Sequence, residues 1–159
     1  MTKEDLEIAL KELETQREIL IKALNELLQG EYMAVESFNN FISRIEDEKI
    51  KREVQGIQQQ HRSNIEKLAV YIQNMGGQPD ENLGFKGKMG DLKVNMDLGF
   101  KTDDAEIIKK AIEGETRGVN MAEKILRGNL DDESRDLVGE ILQKDRMAIR
   151  KLKNLVKQK

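Results

Sequence analysis

Slid by 84 positions, the second half of this 159-residue chain falls on the first without a gap. Gly30 meets Gly114 and Glu31 meets Glu115 (115 − 31 = 84). Asp47 meets Asp131, Arg62 meets Arg146, and an apolar series from Val35 to Leu68 meets one from Val119 to Leu152. Two amphipathic helix pairs share Leu, Ile and Lys at matching phase by composition alone. They do not thereby share Gly-Glu twice, or Asp at both inter-helix turns. The chain is constrained to a fold of two like halves, residues 17–68 and 101–152. Residues 1–16 form a helical extension outside the repeat, and 1–159 reads as a single domain of ordinary size.

Each half reads as two long helices. Apolar residues recur at alternating steps of four and three, the spacing of a helix seam facing a core. The first helix spans about Glu4 to Ile45, with Thr2 and Asp5 as its cap and a kink near Gly30. A polar turn, Glu46 to Lys49, leads into the second, which ends at Gly76–Gly77 before Pro79. The third begins after Asp103, with Glu106 completing a capping box, and ends near Gly128. The fourth begins after Asp131 and runs almost to the end. Between the halves lies a long crossover. In it Phe85, Met89, Leu92, Met96 and Phe100 keep helical spacing, so a short helix is expected near 86–99. No segment alternates like a strand.

Composition closes several routes. No cysteine is present, which excludes disulfides, thiolate metal sites and Cys nucleophiles. Charged residues make up 36% and aromatic residues 4%, interspersed along a chain of net charge −3. That pattern suits solvated helix faces and offers no basic, aromatic-studded nucleic-acid footprint. No apolar run approaches the roughly 18 residues of a membrane span, and the N-terminus lacks a signal-peptide core. A cytoplasmic protein with no nucleic-acid or membrane partner is expected.

The seams carry one anomaly each. The first helix puts Glu31 where the stripe calls for an apolar residue. The second puts His61 there, the third Glu115 and the fourth Asp145. In the repeat Glu31 pairs with Glu115 and His61 with Asp145 (145 − 61 = 84). Burying one ionised group costs several kcal/mol unless it is paired, against a total stability of about 5–15 kcal/mol. Three carboxylates and one imidazole do not balance. Protonated carboxyls could share hydrogen bonds, Arg62 or Arg146 could reach in from the flank, or divalent cations could sit between them. Carboxylate plus imidazole suits iron, manganese or zinc.

At these residues the chain resembles the ferritin-like superfamily, and within it a bacterial branch of small four-helix domains. The resemblance covers about Arg17 to Leu152 and rests on four stretches: LNELLQGEYMAVESF, QQQHRSNIEKLAVYIQNMGGQP, AIEGETRGVNMAEKIL and EILQKDRMAIRKLKNL. It implies an all-α antiparallel four-helix bundle with a long crossover between the second and third helices. It also implies a metal centre inside the bundle, built from a Glu on each of two helices and Glu-x-x-His on each of the others. Glu31 and Glu115 match the lone glutamates. The Glu-x-x-His pairs are incomplete. If His61 is the motif's histidine, Gln58 replaces its Glu, and the partner helix supplies Leu142 and Asp145. If the seam decides, His61 and Asp145 take the Glu positions, and Asn64 and Ala148 replace the histidines; the three-residue step along the seam favours this register.

Two functions of different class follow. One is metal handling or stress protection, with Glu31, His61, Glu115 and Asp145 as ligands to one or two divalent ions. Iron is the first choice, with manganese or zinc behind it, and the ligand set is incomplete for a standard di-iron oxidase. The other is a metal-free structural or interaction bundle that keeps a degenerate polar centre. Hydrolysis by the carboxylates is disfavoured, because acid–base pairs work in clefts open to substrate. The stripe Leu6, Leu10, Leu13 and Leu20 on the N-terminal extension caps the bundle or pairs with a second subunit. A homodimer through that helix or through a bundle face is therefore the expected protein partner.

Overall fold

The computed structural model describes residues 1–81 and 103–157. Four helices make up the described chain: α1 (Lys3–Ile42), α2 (Glu48–Asn74), α3 (Asp104–Leu126) and α4 (Asp132–Lys157). The short helix expected near 86–99 lies outside the described residues. α1 passes through Gly30 as one uninterrupted helix and ends at Ile42, three residues earlier than expected. Ile45 is nevertheless buried, as the first apolar anchor of the turn.

Side chains start each helix. Thr2 and Asp5 form a reciprocal capping box on α1. Asp47 accepts from the Ile50 N–H at 3.0 Å, and Asp131 accepts from the Ser134 N–H at 2.8 Å. Asp47 and Asp131, 84 positions apart, thus each cap the helix that follows. Asp103 accepts from the Glu106 N–H, while the Glu106 carboxylate turns to Lys109 Nζ at 3.5 Å. At the end of α2, Gly76 adopts φ +83° and the Gly77 N–H donates to the Ile72 carbonyl. That left-handed stop is open to glycine at little cost.

The core shows the chain direction of each helix. One cluster joins Leu20, Leu24 and Leu28 of α1 with Leu68 and Ile72 of α2, Ala122 and Ile125 of α3, and Val138 of α4. A second joins Phe38 and Phe41 with Ile50, Val54, Ile107, Ile108, Leu152 and Leu155. So α2 runs from the second cluster to the first, and α3 begins back at the second. α2 thus ends and α3 begins at opposite ends of the bundle, as in the crossover topology of ferritin-like folds. Two contacts hold the ends in register. The buried Asp104 carboxylate accepts from the Glu46 and Asp47 N–H groups at 3.0 and 3.1 Å. At the other end the Tyr71 hydroxyl donates to Asp131 at 2.8 Å.

The buried stripes are wider than the seams. Leu27, Phe41, Gln58, Ile72, Ile107 and Leu142 are buried, and Ile42, Ile65 and Ile112 are half-buried. Each helix touches two neighbours, so its apolar face spreads beyond the narrow a/d line of a two-stranded coil. The N-terminal extension does not cap the bundle. Leu6, Leu10 and Leu13 are 49%, 53% and 62% exposed, and burial begins at Leu20. Among the described residues no helix is long and apolar enough to cross a membrane.

Candidate metal centre

Glu31, His61, Glu115 and Asp145 meet between the two apolar clusters, each no more than 3% exposed. All four seam positions therefore converge, one from each helix. The imidazole lies between the two glutamates. Nδ1 is 2.5 Å from Glu31 Oε2 and Nε2 is 2.5 Å from Glu115 Oε1. In the imidazolium form it donates to both carboxylates. Asn64 Nδ2 adds a longer contact to Glu31 at 3.4 Å, and its own Oδ1 accepts from Gln60 at 3.1 Å. The edge of Phe38 meets the imidazole ring, with centroids 5.5 Å apart at 78°. Asp145 completes the group beside Gly118, where a Cβ would stand 3.6 Å from its carboxylate.

Electrostatics sort the protons. Burial pushes His61 down, but attraction to Glu31, hydrogen bonds to Glu115 and Glu31, and the charge of Glu115 outweigh it and hold its pKa well above 6.5. Burial raises Asp145, the charges of Glu31 and Glu115 raise it further, and His61 offsets them in part, leaving it at about 8. An imidazolium between two carboxylates, with a neutral Asp145 alongside, answers the charge imbalance read in the sequence. The arginines take no part. Arg146 pairs with Glu123 at 2.7 Å on the surface and Arg62 is exposed. Gln58 stands outside the group too, its amide donating to the Val35 carbonyl and to Asn39 Oδ1.

The donor set is suited to a cation. One ligand atom from each of Glu31, His61 and Asp145 lies within 4.8 Å of the others, and Glu115 sits on the far ring nitrogen. Metal–ligand bonds near 2.1 Å span such a gap after small side-chain rotations. Asn64 and Ala148, the positions that would complete the motif in this register, add no strong donor for a second ion. Sequence reasoning missed the way in. A cavity of about 180 Å³ opens between α1 and α3, where Gly30, Ala34, Gly114 and Gly118 thin the wall, and its floor is these four ionisable residues.

An all-α bundle with crossover topology and a carboxylate–imidazole group at its centre has a ferritin-like fold. Solved structures agree on the fold. A dodecameric thioferritin, the bacterioferritin-related protein of Bacteroides fragilis, superposes with TM-score 0.75 at 18% identity, over 89% of this chain and 86% of that one. The DPS protein of Vibrio cholerae O1, described as a member of a broad superfamily of ferritin-like diiron-carboxylate proteins, gives 0.73 at 18% over 89% and 91%. A two-domain protein of Anabaena variabilis with DJ-1/ThiJ/PfpI-like and ferritin-like domains gives 0.72 at 18%. This chain spans 37% of that protein's length. More particularly, residues 20–128 match the family described as a domain of unknown function, DUF2383, and the chain belongs to it. No curated protein matches the sequence significantly.

Proposed function

We propose that the chain binds one divalent metal ion, with Glu31, His61 and Asp145 as its ligands and Glu115 orienting the imidazole from its other nitrogen, in metal handling or stress protection. Iron is the first candidate, with manganese or zinc as alternatives. The observation that carries this reading is the convergence of four ionisable groups from four helices at one buried point. Structural neighbours described as diiron-carboxylate proteins support it. A bound ion would supply Lewis acidity and, for iron or manganese, a redox couple. The protein's part is to hold the donors on rigid helices, keep the surroundings apolar through Phe38, and take up or release protons at His61 and Asp145.

Metal content by mass spectrometry tests it. Wild-type protein should retain close to one ion per chain, and Glu31→Ala/Glu115→Ala should retain less than about a tenth of that, since losing a ligand and an orienting partner each costs severalfold in affinity. Equal, negligible content in both after anaerobic loading with Fe²⁺ would overturn the reading. The metal-free structural bundle would then stand, favoured by the fact that no buried side-chain nitrogen or oxygen among the described residues lacks a hydrogen-bond partner.

We also propose a homodimer through the N-terminal arm. α1 has 40 residues against 27, 23 and 26 in the others, so about 20 Å of it stands clear of the bundle. Leu6, Leu10 and Leu13 prolong the line of Leu20 and Leu24 without a partner among the described residues. An isolated helix of this length is marginal in water, so an exposed leucine stripe on one favours pairing. Two arms side by side would bury on the order of 1,000 Å², the lower bound for a specific contact. In sedimentation at about 100 μM, the wild type should self-associate and Leu10→Glu/Leu13→Glu should stay monomeric with unchanged melting temperature. A monomeric wild type at that concentration would refute the dimer.

A further inference from the structure

We propose that the cavity between α1 and α3 binds a small hydroxy acid with an apolar body. Its carboxylate sits at the mouth on Arg117, with Lys110 in support, and its hydroxyl reaches the Asp145 carboxyl at the floor. The site stands independently of the metal reading above.

The mouth is cationic. Lys110 and Arg117 both line it, two turns apart on one face of α3. Arg117 makes no ion pair or hydrogen bond among the described residues. Its guanidinium lies over Gly114, where a Cβ would stand 4.0 Å from one Nη. Lys110 approaches Glu113 at 3.9 Å, an exposed pair of little weight. A guanidinium fork matches a carboxylate and holds it by two parallel hydrogen bonds. Lys110 lies within a Debye length and adds attraction. Charge also decides which end goes in. Glu31 and Glu115 share one imidazole at the floor, so an acid group is repelled there and stays at the rim.

The walls and floor define the rest of the ligand. Leu27, Met33, Phe38, Phe41 and Met121 are apolar, and the Ser37 hydroxyl is already given to the Met33 carbonyl at 2.8 Å. The volume is about 180 Å³, and a cavity of roughly 150 Å³ holds a benzene ring. One ring therefore fits, with a polar group at each end. At the floor Asp145 is 2% exposed, and no hydrogen bond reaches its carboxyl from the described residues. Every fully enclosed side-chain nitrogen or oxygen among them has a partner, whereas the Asp145 carboxyl is left facing the cavity. A hydroxyl arriving there supplies the missing partner. A wholly apolar molecule would satisfy neither Arg117 nor Asp145, and a dianion would meet thioether and phenyl walls. Asp145 also borders a cavity between α2 and α4, lined by Lys144, Met147 and Lys151. Those lysines are engaged, Lys144 by Glu140 at 2.8 Å and Lys151 by Glu53 at 3.6 Å, which favours the α1–α3 side.

The probe is 4-hydroxybenzoate, titrated into the full chain with chelator present and followed by methionine-methyl NMR. Ring currents should move the Met33 and Met121 methyls and leave Met147, on the opposite cavity, in place. The Kd should lie below about 1 mM. Arg117→Gln, a substitution at an exposed position, should weaken binding at least about tenfold. Benzoate, which lacks the inner hydroxyl, should bind wild type at least about threefold more weakly. Wild-type methyls unmoved by millimolar 4-hydroxybenzoate, shifts centred on Met147, or an affinity unchanged in Arg117→Gln would each overturn the site. Benzoate that binds as tightly as 4-hydroxybenzoate would overturn the contact with Asp145 and with it the hydroxy-acid assignment.

Discussion

Replacing His61 with Leu should destabilise the metal-free protein by about 3–5 kcal/mol, because it leaves buried carboxylates facing one another without their shared cation. For a chain of this size that corresponds to a fall in melting temperature of roughly 10 °C or more. The loss lies in the desolvated Glu31 and Glu115, each no more than 3% exposed and each bonded to one imidazole nitrogen. Packing alone would predict the opposite, since leucine suits the apolar clusters on either side. The triple variant Glu31→Leu/His61→Leu/Glu115→Met should recover most of the loss, as replacing an entire buried ion network by apolar residues is often neutral or stabilising. Calorimetry on the two variants decides the matter. A single variant within about 1 kcal/mol of wild type would mean that the triad carries no charge worth neutralising.

Stability of the metal-free protein should fall as pH rises from about 5 to 9, with the steepest loss between 6.5 and 8. Both shifted groups at the centre act in the same direction. His61 has a folded pKa well above its unfolded 6.5, so its contribution is complete below 6.5 and is lost as pH rises through the folded value. Asp145 is raised from 3.8 to about 8, so the folded state holds its proton across a range where the unfolded chain has released it. Each unit of such a shift is worth about 1.36 kcal/mol, and the combined effect is on the order of several kcal/mol. Surface carboxylates work oppositely. Asp131, lowered by its bonds to Ser134, and Glu140, lowered by Lys144 and Lys67, contribute above their unfolded values and are lost as pH falls below about 4. The optimum is therefore mildly acidic. Urea titrations at stepped pH check this. Asp145→Asn should flatten the alkaline limb, and a profile flat from pH 5 to 9 would refute the protonation scheme.

A ligating cation should invert that limb, because it competes with the protons held at His61 and Asp145. The same pH series with and without metal thus reports on the centre without any assay of activity.

Helix boundaries and the four polar seam positions could be read along the chain, because both are one-dimensional properties. A cap such as Asp47 or Asp103 acts on N–H groups two or three residues away, and a seam is a period. Even the pairing of Glu31 with Glu115 and of His61 with Asp145 followed from an offset of 84. What periodicity could not resolve was which side chain meets which across the bundle. Arg62 and Arg146, next to the seam in sequence, point outward, since one step along a helix turns a side chain by about 100°. The imidazole could have faced either a carboxylate or water, and interhelical distance and rotamer placed it between Glu31 and Glu115. The 3.6-residue turn determined that this chain would bring four ionisable groups to one depth. Only the packing of four cylinders decided that they would neutralise one another there, open to the surface through gaps that small residues leave between helices.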